Sequence, residues 1–399
     1  LRMERGESDL AEADFNRAIE MSRTIGYRHG EAVYQMNLGI LLVIRNRLGA
    51  ALDAFSRAAA TYSDIGNRRG RALVLANSAW IRHANLGDNE RAEAETLEAA
   101  AVYEQIGDVR GQAQCLVILG SIKAGGGMVD EGRRLLEEGV GLTLQAEDSW
   151  LAAQALRELA SVELAAGLAE SGADHAAQAE ALCERIGMND LKVGIRALRG
   201  RLLLACGRVE EAVGVTAGAM ADLHPGIELA YLVPFAHGEA LSACGQQPEA
   251  DRCYAQAHDS LIALLGDLTE EDRAAALSVV PAHREVVDAW SRRRPRLVQQ
   301  DLARIGAPIG RPLEPDERVS VTWTLHLPSD DEIPDAVERR RARLTRLLLE
   351  ASEQRGAPTV HDLAGALQAS VATVRRDLAA LRRSGRTVLT RGTRGRQAQ

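Results

Sequence analysis

The chain has 399 residues, too many for one compact core and enough for two or three domains of ordinary size. It is 46% hydrophobic but only 3% aromatic, and no stretch approaches the ~18 consecutive apolar residues of a membrane span, so the composition reads as a soluble protein with a core of Ala, Leu and Val. The net charge of −8 is unevenly placed: residues 337–399 carry fourteen arginines against five acids, or +9, which leaves −17 on the first 336.

A basic tail on an acidic body points to an anionic partner for the tail, with nucleic acid first in line. The five cysteines (Cys115, Cys183, Cys206, Cys244, Cys253) are odd in number and contain no Cys-x-x-Cys. That pattern argues against a disulfide framework or a structural zinc site and favours a reducing, cytoplasmic setting. The chain opens at Leu1 with neither Met nor a basic-then-apolar leader, so we expect a C-terminal fragment of a longer protein.

In chain order, the first feature is a repeat. Gly6, Asn46, Gly87, Gly127, Gly167, Gly207 and Gly245 recur every 38 to 41 residues, and Gly and Asn are the residues that enter the left-handed conformation ending a helix. Five residues after each stands a small residue (Ala11, Ala51, Ala92, Gly132, Gly172, Ala212, Ala250), and seven further on another (Ala18, Ala58, Ala99, Gly139, Ala179, Ala219, Ala257). Small side chains seven apart share a helix face and let a neighbouring helix approach closely, with Phe15, Phe55, Leu136 and Tyr254 as larger knobs between them. A second amphipathic helix precedes each turn, as in Ala32–Gly39 and Gln112–Gly120, and Ile-Gly pairs at Gly26, Gly66, Gly107 and Gly187 close the unit. Cys206 and Cys244 each precede a turn glycine and read as small core residues.

Over residues 1–257 these Leu-Gly, turn, Ala and aromatic positions resemble the tetratricopeptide repeat (TPR) family. The period is about 40 rather than 34 residues, and the repeat-closing proline is missing. In this it is similar to the superhelical arms of bacterial signal-transduction ATPases and regulators. The resemblance implies an α-α superhelix whose groove takes a protein or peptide partner, its first unit lacking a first helix.

Helical patterns near Glu270–Leu277 and Ala282–Trp290 complete a first domain, 1–290, as a cap over the last repeat. Six of eleven prolines then fall in residues 291–336, which read as a linker carrying one strand at about 318–327, where Val319, Val321, Trp323, Leu325 and Leu327 alternate with polar residues. A lone strand must pair with something, either the wing of the next domain or a second copy of itself.

Residues 337–399 read as a DNA-binding module. A helix with a basic face starts near Arg339, a short helix runs over Thr359–Leu367, a turn falls at Gln368-Ala369, and a last helix runs from Ser370 to Gly385. In that helix Val374, Leu378 and Leu381 share one face, Ala372, Arg376 and Arg383 lie opposite, and Arg375 and Arg382 form a flank. Ala372 and Thr373 allow close approach, Arg376 can reach guanine edges, the flanking arginines can hold phosphates, and the helix start at Ser370 offers free N–H groups. Arg391, Arg394 and Arg396 belong to a wing strand and turn. The arginines could instead be a solvated face or pair with Asp377 and Glu338 inside the domain.

The run Ser-x-x-Thr-Val-Arg-Arg-Asp-Leu-x-x-Leu-x-x-x-Gly at Ser370–Gly385 resembles the DeoR-type winged helix-turn-helix, although here it ends the chain and no sugar-phosphate domain accompanies it. The resemblance implies duplex DNA binding through Thr373, Arg375 and Arg376, and a two-fold DNA site would suit a homodimer. No phosphate loop, nucleophile elbow or metal-ligand spacing stands out, so neither catalysis nor a cofactor or metal is expected. The expectation is therefore an all-α regulator: TPR-like superhelix, then a small winged helix with a minor β wing. The alternative is a TPR scaffold, adaptor or sensor arm of a larger ATPase or kinase whose winged helix contacts protein.

Overall fold

The computed structural model describes residues 8–224, 226–331, 333–384 and 390–391. They divide into two compact units, Leu1–Trp290 and Ser291–Gln399.

The first unit is a TPR-like solenoid. Its helices are α1 (Ser8–Thr24), α2 (Arg28–Ile44), α3 (Leu48–Asp64), α4 (Arg68–Ile81), α5 (Asn89–Ile106), α6 (Val109–Gly125), α7 (Val129–Gln145) and α8 (Ser149–Ala165). They continue as α9 (Ala169–Ile186), α10 (Asn189–Ala205), α11 (Val209–Ala221), α12 (Leu232–Ala243) and α13 (Gln247–Leu264), followed by α14 (Glu270–Val279) and α15 (Pro281–Arg292). Seventeen-residue helices with three-residue turns, as in α2 and α3, account for the 40-residue period.

Of the expected turn residues Gly6 lies outside the described residues, and the others do what their chemistry allows. Asn46, Gly87, Gly127, Gly167, Gly207 and Gly245 all have positive φ. The residue after the turn donates back across it, as in Arg47 N–H to Leu42 O (2.9 Å), Met128 N–H to Lys123 O (2.9 Å) and Arg208 N–H to Leu203 O (2.8 Å). This 6→1 closure satisfies carbonyls that the helix end leaves open. The other turns also use the left-handed region, at Gly26, Gly66, Gly107 and Gly187, and in one repeat at Glu147 (φ 55°). Asn67, Asp108 and Asp148 then cap the next helices, each accepting from the N–H three residues on.

The small-residue stripe is the packing seam. Ala51, Ala58, Ala92, Ala99, Ala179, Ala212, Ala219, Ala250 and Ala257 are fully buried. Gly39 faces the Phe55 knob so closely that an added Cβ would lie 2.5 Å from the ring. Cys206 and Cys244 depart from their expected role: they are the C-cap residues of α10 and α12, where the side chain turns outward, and Cys244 is exposed with its thiol donating to Leu241 O.

In the second unit the stretch expected as a linker is folded. Strand β1 (Arg296–Arg304) pairs antiparallel with β2 (Arg318–His326) and, at its end, with β3 (Gly356–Ala357), giving the order β2-β1-β3. The expected strand therefore finds its partner within the same stretch. Helices α16 (Ala336–Glu353), α17 (Val360–Ala366) and α18 (Val371–Arg383) complete the unit. Leu302, Val321 and Trp323 from the strands share one core with Leu344, Leu347, Leu363, Val374, Leu378 and Leu381. Trp323 is fully buried and its Nε1–H donates to Leu347 O at 2.9 Å. The outer edge of β2 is closed by side chains of α16: Gln354 bridges Thr322 N–H and C=O, and Glu350 accepts from Thr324 N–H. Covering an edge this way prevents a further strand from adding there.

Candidate interaction surfaces

Helices α17 and α18 are joined by a tight turn in which Gln368 takes φ 50° and Ala369 N–H donates to Ala364 O. Both helix starts are capped as their sequences require. Thr359 and Asp362 form a reciprocal capping box, and Ser370 Oγ accepts from Thr373 N–H at 3.1 Å. The Ser370 hydroxyl also meets the Thr373 hydroxyl at 2.8 Å, so both expected contact residues sit at the start of α18.

Val374, Leu378 and Leu381 are buried, while Ser370, Ala372, Arg375, Arg376, Arg382 and Arg383 are exposed and Thr373 is half-buried. Among the described residues, Arg383 Nε bonds its own helix, to Ala379 O, and Arg375, Arg376 and Arg382 have no ion-pair partner. The arginine stripe of α18 is therefore presented to solvent. Of the expected wing, Arg391 donates its backbone N–H to Pro358 O and its guanidinium to Pro308 O. Arg394, Arg396 and residues 386–389 lie outside the described residues.

The basic face expected on α16 is different. Arg340 and Arg341 converge on buried Asp377 of α18 at 2.6 and 3.1 Å. Arg343 and Arg346 converge on buried Asp330 at 3.0 and 2.6 Å. Burial alone would raise the Asp330 carboxyl, but hydrogen bonds from Arg346, Leu327 N–H and Arg343 outweigh it and hold its pKa at about 2. Four of the segment's fourteen arginines thus meet buried carboxylates, whereas those of α18 face solvent.

In the solenoid, the even-numbered helices α4, α6, α8, α10 and α12 pack successively on one another and so line the inner wall. Polar side chains bridge successive members of that wall: Asn77 with Gln114, Ser121 with Glu158, and Arg201 with Glu239. Trp80, Arg157 and Glu228 meet on the same wall, and α15 reaches it through Glu285, which accepts from Arg201 at 2.6 Å. Far along the chain, Ala50 N–H donates to Asp267 Oδ2 at 3.3 Å, so the seventh repeat's end meets the start of α3. Sequence spacing gave no signal for this cluster, because its members come from separate repeats. Among the described residues, no group of three or more His, Cys, Asp or Glu could hold a metal ion, and no helix is long and apolar enough to cross a membrane.

A family described as a protein of unknown function, DUF1670, matches residues 276–395. No curated protein matches the chain. Among solved structures it is similar to a Rap protein complexed with competence and sporulation factor (12% identity, 71% of this chain and 89% of that one, TM-score 0.48). It is also similar to a tetratricopeptide repeat protein from Parabacteroides merdae (15%, 70% and 94%, TM-score 0.43). A third is a signal transduction ATPase with numerous domains and a tetratricopeptide repeat sensor from Pyrococcus horikoshii (15%, 69% and 50%, TM-score 0.38).

Proposed function

We propose that this chain is an interaction scaffold whose solenoid docks a protein or peptide partner on its inner wall. The observation that carries the reading is the run of polar side chains along α4, α6, α8, α10 and α12, where Asn77 and Gln114, Ser121 and Glu158, and Arg201 and Glu239 make a polar rather than an apolar wall. Replacing Asn77 and Gln114 together by arginine puts two long side chains into that wall. The double variant should melt like wild type yet lose the proteins that the wild-type chain retains in a quantitative pull-down; equal retention would overturn the reading.

A second reading concerns the C-terminal unit, where the solvent-facing arginines of α18 favour duplex DNA as the partner in a DeoR-like, winged-helix mode. The whole protein then acts as a regulator that couples a docked partner to DNA. Anisotropy titration of the full chain on duplex DNA at two salt concentrations tests it. Binding should weaken steeply with salt and fall in the Arg375→Ala/Arg376→Ala variant. Salt-insensitive binding, or none, would leave the adaptor reading alone.

A further inference from the structure

The connections between repeat helices are two or three residues long, except around the π-helical turn Arg82–Leu86 and between α11 and α12, where the connection spans ten. That long connection carries Glu228 onto the inner wall. Trp80 Nε1–H of α4 donates to Glu228 Oε1 at 2.7 Å, and Arg157 Nη1 of α8 lies 3.4 Å from Glu228 Oε2. The Arg157 guanidinium also stacks over the Trp80 ring, 5.7 Å from its centroid, and is held from behind by Glu158 at 2.9 Å.

An indole N–H and a buried guanidinium, fixed by two different repeats and aimed at one point, form a seat shaped for a carboxylate. The carboxylate that fills it comes from the chain itself and remains one-third exposed, whereas Arg157 is almost wholly buried. The next residue, Leu229, is held at φ 52°, a left-handed conformation that strains a residue bearing a Cβ. The loop therefore sits in the seat under strain, and releasing it recovers part of the cost of exposing Arg157.

We propose that the Trp80–Arg157 seat is a docking point for an acidic peptide segment, and that Glu228 is an internal stand-in which such a segment displaces. The proposal rests on the scaffold reading of the inner wall and names the chemistry of the partner: a Glu or Asp side chain, or a chain-terminal carboxylate, inserted where Glu228 now lies. A neutral or basic segment would leave the guanidinium with Glu158 alone, lose the second counter-charge that Glu228 supplies, and compete poorly.

The test uses the full chain and fluorescein-labelled hexaglutamate, with hexaglutamine of the same length as control. Glu228→Gln should bind hexaglutamate at least tenfold more tightly than wild type, with no gain for hexaglutamine. Adding Trp80→Phe, which keeps an aromatic ring but removes the indole N–H, should erase most of that gain. A well-folded Glu228→Gln protein with wild-type affinity, or a gain indifferent to Trp80, overturns the proposal. Should Glu228→Gln fail to fold, amide exchange of wild type with saturating hexaglutamate decides the matter. Faster exchange at residues 226–231 supports displacement, and unchanged exchange overturns it. The Asn77→Arg/Gln114→Arg pull-down fails or succeeds independently, so loss of the seat and loss of the scaffold reading give different patterns.

Discussion

Arg340 Nε lies 2.6 Å from Asp377 Oδ2, which ties the middle of the arginine-bearing helix α18 to α16 through a carboxylate that is almost fully buried. Arg341 shares the same carboxylate. Removing the charge at Asp377 leaves two arginines facing each other beside a core of Leu344, Val374 and Leu378. Asp377→Asn should destabilise the second unit by about 3 kcal/mol, the low end for breaking a buried pair because both arginines keep partial access to water. A urea titration of residues 291–399, in which Trp323 is the one tryptophan, followed by fluorescence reads this, and a loss under ~0.5 kcal/mol would show that the pair does not hold the helices.

The C-terminal unit begins well before residue 337. Leu302, Val321 and Trp323 contribute buried side chains to its core, and losing a buried Trp alone costs ~3–5 kcal/mol. That is a large share of what a unit of this size can hold in reserve. A fragment of residues 337–399 should therefore be largely unfolded by circular dichroism, whereas residues 291–399 should melt cooperatively. A cooperative transition in the shorter fragment would contradict the shared core.

These two cases also mark what was legible in the sequence. The turn residues, the small-residue seam, the cap helices and the start of α18 were readable because each depends on local chemistry: a left-handed φ, a close approach, a side-chain cap. Strand β1 was not, because its apolar residues come in adjacent pairs (Leu297-Val298, Leu302-Ala303) that carry no two-residue period. The ion pairs to Asp330 and Asp377 were hidden for another reason. A run of arginines looks alike whether it meets water or carboxylates from elsewhere in the chain. The cluster of Trp80, Arg157 and Glu228 exists only once the repeats from α4 to α12 are stacked.

On the proposed duplex-DNA reading, the two kinds of arginine on α18 should behave differently. Arg376 faces outward near the helix start, where a base edge would lie in a groove-bound helix, and Arg382 stands two turns further on. Arg376→Ala should cost about 1–3 kcal/mol on a preferred site and narrow the gap between preferred and random duplex. Arg382→Ala should weaken both duplexes alike and lower the salt slope by about 1. Competition anisotropy with the two duplexes separates these outcomes; identical profiles for the two variants would remove the distinction.

The solenoid should lose stability on mild acidification through His283. The ring is fully buried against Tyr231, its Nδ1–H donates to Ala276 O at 3.1 Å, and Nε2 has no partner among the described residues. Burial pushes its pKa down to about 4, the Ala276 bond opposing only in part. The unfolded chain, with a His pKa near 6.5, therefore binds more protons between those values. Stability falls as pH drops from about 6.5 to about 4, by up to ~3 kcal/mol, and this contribution is flat below. His237, also lowered by burial, adds a slope of the same sign. The readout is thus the difference in urea midpoints at pH 7 and pH 4.5 between wild type and His283→Phe, which keeps the ring contact and should show the smaller change.

Glu147 provides a test of the repeat itself. It occupies the turn position held elsewhere by Gly26, Gly66, Gly107 and Gly187, and takes the same left-handed conformation with φ 55°. The Schellman-type bond is made all the same, with Asp148 N–H donating to Thr143 O at 3.0 Å, so the backbone geometry of the turn is kept despite the side chain. A residue with a Cβ is strained there, whereas Gly is not. The carboxylate also sits just past the C-terminus of α7, where the helix dipole disfavours negative charge. Glu147→Gly removes both penalties and should stabilise the solenoid by about 1 kcal/mol, even though glycine ordinarily loosens a chain. Glu147→Ala relieves only the charge and should gain less. A thermal shift that ranks Ala above Gly would mean that the left-handed turn is not what limits this repeat.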